Sequence, residues 1–145
     1  MTFANPSDTE LCALLEGVRR IAVVGLSPKP DRPSYQVASA LQGFGYRILP
    51  VRPMAKEILG EQVYPDLASV PGPIDLVDVF RAPEQVGEVV DACIALKLPA
   101  IWLQEGVVNE AAAQRAQAAG LTVVMDRCVY REYVRLFGAV PRFAL

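Results

Sequence analysis

The sequence predicts an α/β protein: a three-layer, doubly wound parallel sheet of five strands. Three observations predict it. Five short apolar runs recur along the 145 residues, a helical pattern separates each run from the next, and the runs are continuously apolar rather than alternating. Continuous runs mark strands covered on both faces, which is the condition of a parallel sheet. Parallel neighbours need a long crossover, ordinarily a helix, so the alternation itself implies the sheet type.

The elements follow in order. Ser7 and Asp8 are N-cap candidates for a first helix in which Leu11, Leu14, Leu15 and Val18 recur at helical spacing, ending between Gly17 and Arg20. Residues 21–25 are the first strand, closed by Gly25. Residues 26–32 hold proline, serine and charge and form a loop, after which Pro33 suits the first turn of a helix reaching Gly43 or Gly45. Residues 46–51 are the second strand, stopped by Pro53. Residues 54–73 contain three prolines and two glycines around a short apolar segment at Ile58 and Leu59, which predicts an excursion with one helical turn.

Residues 74–80 are the third strand, and Pro83 opens a helix carrying Val86, Val89, Val90, Cys93 and Ile94 that ends at Leu96 and Lys97. Residues 99–103 are the fourth strand; Asn109 caps an alanine-rich helix closed by Gly120; residues 121–125 are the fifth strand, and 127–137 a last helix. No repeat or low-complexity linker interrupts this alternation, so residues 1–145 read as one domain. The architecture is of the Rossmann type. The expected strand order is 3-2-1-4-5, with 2-1-3-4-5 as the alternative, because the pattern alone does not fix order.

Composition removes several functions. A hydrophobic content of 52% supplies a core for a chain of this length, and a net charge of -2 argues against the broad basic face that duplex nucleic acid requires. The three cysteines, Cys12, Cys93 and Cys128, have neither the even count of a disulfide framework nor metal-site spacing, which fits a reducing cytoplasm and no bound metal. No basic stretch leads into an apolar core near the N-terminus, and no apolar run approaches the roughly 20 residues that span a bilayer, so neither export nor membrane insertion is expected. The chain has no histidine. That excludes Ser-His-Asp and Cys-His pairs, histidine metal ligands and a phosphohistidine intermediate.

In sheets of this kind ligands bind beyond the carboxyl ends of the strands where the order reverses. The first such loop runs from Gly25 through Leu26, Ser27, Lys29, Arg32, Pro33 and Ser34 to Tyr35 and feeds a helix N-terminus. Unpaired amides and the helix dipole suit that turn to a diphosphate, with the Ser27 and Ser34 hydroxyls as further donors and Lys29 and Arg32 as charge. The alternative is a rigid, proline-braced turn that caps the sheet. The next glycine after Gly25 is Gly43, so the dinucleotide fingerprint is absent. The second exit, Val51, Arg52 and Pro53, offers no acid for a ribose hydroxyl; Arg52 suits the 3′-phosphate of coenzyme A or the 2′-phosphate of NADP, or is a solvated surface arginine. The third exit places Phe80 or the turn from Pro83 to Val86 against an adenine and Arg81 near phosphate, although Phe80 is equally an ordinary core residue. The fourth exit carries Leu103, Gln104, Glu105 and Gly106.

Taken over nearly its whole length, the chain resembles the stand-alone coenzyme A-binding protein family, whose fold is that of the N-terminal domain of the succinyl-CoA synthetase alpha subunit. The stretches that carry the resemblance are residues 21–27, Arg32-Pro33-Ser34-Tyr35, Val51-Arg52-Pro53 with Glu57-Ile58-Leu59-Gly60, Val77-Asp78-Val79-Phe80-Arg81, Trp102-Leu103-Gln104-Glu105-Gly106 and Met125-Asp126-Arg127-Cys128. It implies that Gly25, Leu26 and Ser27 hold the diphosphate, that Arg52 and Pro53 line the nucleoside side, that Phe80 and Pro83 flank the adenine, and that Leu103, Gln104 and Glu105 complete the cleft. The family's second exit usually reads Val-Asn-Pro-Lys, whereas Arg52 and Met54 stand here in place of Asn and Lys, so Arg52 with Lys56 is expected to supply the charge.

The synthetase's catalytic histidine and nucleotide-activating domain lie outside the matched region. The resemblance therefore implies a non-catalytic protein that binds coenzyme A or an acyl-CoA as carrier or sensor. Two alternatives stand beside it: an NADP-dependent oxidoreductase, and an interaction subunit with a vestigial nucleotide site that docks a protein partner through Tyr130, Tyr133, Leu136 and Phe137. Cys128 is either a buried small hydrophobe or a reactive thiol able to form a mixed disulfide with coenzyme A.

Overall fold

A computed structural model describes residues 2–142. Helix α1 (Asp8–Gly17) begins with a capping box: Ser7 Oγ accepts the Glu10 N–H at 3.2 Å and Glu10 Oε1 accepts the Ser7 N–H at 3.3 Å. It buries Leu11 and Leu15. Strand β1 (Arg20–Val24) leads through the proline-rich loop to α2 (Pro33–Gly43) and β2 (Arg47–Val51). The excursion that follows holds β3 (Glu57–Ile58) and β4 (Glu61–Gln62), a short antiparallel hairpin, and one helical turn at Leu67–Ser69.

The expected helical turn is therefore present, but Ile58 is in a strand rather than in that turn. Leu59 and Gly60 both have positive φ, 55° and 77°, which is what a two-residue hairpin turn demands. The remaining elements are β5 (Leu76–Val79), a one-turn helix at Pro83–Gln85 continuing into α3 (Val86–Ala95), β6 (Ala100–Leu103), α4 (Glu110–Ala118), β7 (Thr122–Val124) and α5 (Val129–Phe137). Asn109 caps α4, accepting the Ala112 N–H at 3.0 Å.

The five longer strands form one parallel sheet in the order β2-β1-β5-β6-β7. Counted among themselves this is 2-1-3-4-5. The 3-2-1-4-5 pattern holds with a single bridged residue in the third position: Tyr64 lies parallel to Val51 on the outer edge of β2, its N–H donating to Pro50 O at 3.0 Å and its carbonyl accepting the Arg52 N–H at 2.9 Å. The 74–80 strand, expected at that edge, pairs with β1 instead. Tyr64 already pairs with β2 there, so the chain recrosses and adds β5 to the free side of β1.

Each strand feeds two cores. Ile21, Val23, Ile48, Leu76 and Trp102 pack under α1, α2 and α5, whereas Ala22, Val24, Leu49, Val77, Ile101 and Leu103 pack under α3, α4 and the Leu67 turn. Burial on both faces is the reason the strands are continuously apolar. Tyr133 of the expected docking stripe is fully buried, stacked 4.0 Å from the Phe44 ring, and Leu136 and Phe137 pack against the same core. That stripe is core packing, and only Tyr130 keeps substantial exposure. Among the described residues no helix is long and apolar enough to cross a membrane.

Candidate functional site

The reversal in strand order lies between β1 and β5, and the crevice there is set by Gly25. Its φ is +85°, and a Cβ would stand 2.2 Å from the Phe80 carbonyl oxygen, so the turn after β1 passes the exit of β5 at a distance only glycine permits. The turn beyond is braced internally: Ser34 Oγ accepts the Ser27 N–H at 3.0 Å, and Ser27 Oγ accepts the Lys29 N–H at 3.1 Å. Both serines thus act first as acceptors, with their hydroxyl hydrogens left to donate. Helix α2 starts with Arg32 at its N-cap and Pro33 in its first turn, with no side chain capping its amides. Such an end attracts anions.

Four cations surround this end: Lys29, Arg32, Arg52 and Arg81. None has a carboxylate partner among the described residues. Arg52 is laid over the turn, donating from Nη1 to Leu26 O at 3.3 Å and from Nε to Pro53 O at 3.2 Å. Arg81 Nε is buried without a hydrogen-bond partner. These groups line a cavity of about 1290 Å³ that crosses the sheet edge to Gln104, Glu105, Cys128, Tyr130 and Arg131. A second cavity of about 170 Å³, lined by Val51, Pro53, Pro65 and Glu88, shares Arg52 and Arg81 with the first. The larger volume exceeds the several hundred Å³ of a drug-sized pocket.

The lining is suited to holding an anion with a long attached arm. It offers no pair for proton transfer, since Glu105 is engaged with Arg131 at 3.0 Å. The most perturbed carboxyl lies elsewhere. Asp78, in register with Val23 and Trp102, is fully buried with no partner for either oxygen, and burial pushes it well above the usual carboxylate range.

Of the residues singled out from sequence, the cavities gather Gly25, Ser27, Lys29, Arg32, Pro33, Ser34, Val51, Arg52, Pro53, Phe80, Arg81, Gln104 and Glu105. Leu26, Val86 and Leu103 are instead fully buried core, because each falls on the side of its element that faces a covering layer. Tyr35 packs on the inner side of α2, Lys56 is exposed beside the β3–β4 hairpin, and Pro83 O accepts the Asn109 side-chain amide at 3.0 Å. Gly106 donates its N–H to Asp126 Oδ1 at 2.8 Å, joining the β6 and β7 exits. Met54, which stands where the family has lysine, is fully exposed and lines neither cavity.

Sequence reading missed two walls. Gln36, Val37 and Ala40 extend Pro33 along one side of α2 at helical spacing, a signal available from periodicity. Tyr130 and Arg131 come from beyond the exit of β7, beside Cys128, the one residue of that wall that the sequence marks for the ligand.

Residues 19–134 match the family described as the CoA binding domain. This chain belongs to the CoA-binding domain family. An uncharacterized protein, YneT, of Bacillus subtilis (strain 168) is 45% identical over 125 residues, covering 86% of this chain and 93% of that protein. Among solved structures, a hypothetical protein from Pyrococcus horikoshii OT3 superposes with a TM-score of 0.88 at 35% identity, covering 95% of this chain and all of that one. A dinucleotide-forming acetyl-coenzyme A synthetase from Ca. Korarchaeum cryptofilum, in complex with phosphate and ADP, matches with a TM-score of 0.68 at 25% identity; 77% of this chain is covered but only 26% of the synthetase. The same fold thus occurs both as a chain of this size and within a larger enzyme.

Proposed function

We propose that this protein binds coenzyme A, free or acylated, along the carboxyl edge of its sheet and acts as a carrier or sensor without catalysing a reaction on it. The observation that carries the reading is the set of four cations, Lys29, Arg32, Arg52 and Arg81, gathered around an uncapped helix N-terminus without carboxylate partners among the described residues. Arg52 and Arg81 are half-buried, and guanidinium groups so placed without counter-charge are costly unless an anion completes them, while the exposed Lys29 and Arg32 add charge at the rim. The diphosphate sits at the turn from Gly25 to Ser34, the nucleoside with its 3′-phosphate lies toward Arg52 and Pro53, and the arm extends past Arg81 and Phe80 toward Gln104 and Glu105. Membership of the CoA-binding domain family supports the ligand class, and the absence of histidine from the chain supports a binding role.

The test is calorimetric titration with CoA, NADP and ATP at low salt. CoA should bind tightest, and Arg52→Ala should weaken it by roughly 10- to 100-fold, the worth of one charge-assisted hydrogen bond. Equal affinity for CoA in the Arg52→Ala protein, or a clear preference for NADP, would sink the assignment.

A further inference from the structure

The cavity changes character along its length. Lys29, Arg32, Arg52 and Arg81 stand at one end; beyond Phe80 the space passes between α2 and α5, and there its walls are largely apolar. The α2 wall follows from the sequence. Pro33, Val37, Ala40 and Phe44 recur at intervals of four, three and four residues, so they form one stripe from the first turn of the helix to its C-cap. Pro33, Val37 and Ala40 line the cavity, whereas Phe44 is buried below its far end.

Opposite this stripe stands Tyr130, which is 38% exposed and lines the same cavity. Its ring is stacked on that of Phe44, with centroids 5.9 Å apart and planes within 10°. The stacked pair ties the start of α5 to the end of α2 and closes the groove between them. Val37 and Ala40 pack against the core beneath and keep part of their surface in the cavity. Ala40 is the smallest side chain of the stripe, and it leaves room where a larger residue would fill the groove. Water in such a groove lies against apolar surface that a hydrocarbon group would cover.

The groove begins where the arm of coenzyme A ends. Three steps of the sheet separate the exit of β1 from that of β7, in the order β1-β5-β6-β7, which at strand spacing is about 14 Å. The phosphopantetheine arm runs from phosphate oxygen to sulfur through roughly twelve bonds, the contour of about four extended residues, also on the order of 14 Å. Phosphates at the Gly25 to Ser34 turn therefore bring the sulfur to the Tyr130 wall. Whatever the sulfur carries continues between Tyr130 and α2.

The space there is short. From Val37 to Ala40 the helix rises about 4.5 Å, the span of about four carbon–carbon bonds in an extended chain. It also offers no counter-charge. The nearby cation, Arg131, is held by Glu105 at 3.0 Å, so an acyl group ending in a carboxylate meets a second carboxylate in place of a free cation.

We propose that the groove between α2 and α5 is an acyl site, and that the ligand is a CoA thioester of an uncharged, linear acyl group of about four to six carbons. The inference rests on the CoA reading above. The cationic turn fixes the phosphates, and Val37, Ala40 and Tyr130 sort ligands by what the sulfur bears.

The experiment is calorimetric titration of the wild-type protein under reductant with CoA and with its acetyl, butyryl, hexanoyl, decanoyl and succinyl thioesters. Affinity should rise roughly fourfold for each methylene buried from acetyl towards hexanoyl and gain nothing further with decanoyl. Succinyl-CoA, with a butyryl-length chain ending in a carboxylate, should bind at least about tenfold more weakly than butyryl-CoA, having lost the buried apolar end. Two variants place the effect in the groove: Ala40→Leu fills it, and Val37→Thr makes its wall polar with almost no change of shape. The ratio of butyryl-CoA to CoA affinity, read within each protein, should fall to about one in Ala40→Leu and by roughly threefold or more in Val37→Thr. Equal affinity for CoA and all its thioesters, a gain that continues to decanoyl, a preference for succinyl-CoA, or an unchanged ratio in either folded variant overturns the acyl site and leaves the CoA reading standing. Failure of the wild-type protein to bind CoA or any thioester refutes the CoA reading, and the acyl site with it.

Discussion

Gly25→Ala is the sharpest single perturbation of this fold, because the structure separates its two costs. The positive φ of +85° costs a residue with a Cβ about 1–2 kcal/mol. The new methyl group would also meet Phe80 O at 2.2 Å and Arg81 Cδ at 3.1 Å. The arginine can swing away, but the Phe80 carbonyl belongs to a backbone whose N–H is tied to Val24 O at 2.9 Å, so the β5 exit itself must move. Overpacking of this kind costs about 1–3 kcal/mol, for a total of roughly 2–5 kcal/mol. For a domain of this size that is a fall in Tm on the order of 10 °C. Gly60→Ala supplies the control, since Gly60 has φ +77° with nothing within 4 Å of its Cβ and incurs only the backbone cost. Urea unfolding of the two variants beside the wild type gives the difference directly. If Gly25→Ala proves no more destabilising than Gly60→Ala, the close approach of the β1 and β5 exits is wrong, and so is the crevice built on it.

Two further perturbations test parts of the fold away from the cavity. The Asp78 carboxyl has a folded pKa raised above its unfolded value, so its contribution to stability is full below the unfolded value and is lost as pH rises through the folded one. Asp78→Asn should remove a downward slope of about 1.4 kcal/mol per pH unit that begins just above the unfolded carboxylate range; parallel stability curves for the two proteins would show that Asp78 is not buried as described. Ser7→Ala deletes the α1 capping box and should cost about 1 kcal/mol, read as a drop of about 2–4 °C in thermal unfolding with no change in CoA affinity.

Much of this structure was legible because two-sided burial leaves a mark in sequence. The runs at 21–25, 46–51, 74–80, 99–103 and 121–125 are apolar without alternation since α1, α2 and α5 cover one face and α3 and α4 the other. Helix starts were legible where a side chain or proline marks them, as at Ser7, Pro33 and Asn109. The 54–73 segment was less so. Its hairpin turns on Leu59 at φ 55°, a conformation leucine seldom adopts and no propensity flags. The edge of the sheet depends on Tyr64, a single residue held by backbone hydrogen bonds to Pro50 and Arg52 that have no side-chain signature. At the site, the cations announced themselves because charge and proline in a strand-to-helix loop are conspicuous. Leu103 and Gln104 show the limit: they are adjacent at one exit, yet Leu103 turns into the core and Gln104 into the cavity, and only the pleat of β6 decides which.

The division between legible and hidden parts bears on how the protein selects its ligand. On the proposed CoA reading the cationic turn takes phosphate, and any nucleotide carries phosphate, so Lys29, Arg32, Arg52 and Arg81 would supply affinity without separating CoA from NADP or ATP. Discrimination has to come from the part of the cavity beyond Arg81, where Gln104, Cys128 and Tyr130 form a wall some three strands from the phosphates. A nucleotide lacking a long arm leaves that wall unfilled. A ligand with two amide groups and a terminal sulfur can satisfy it. The wall is assembled from the exits of β6 and β7, which the Gly106–Asp126 and Trp102–Arg127 hydrogen bonds lock together. On that reading specificity resides in the register between the last two strands, and the turn after the first strand, for all its charge, does no more than fix the end from which the ligand is measured.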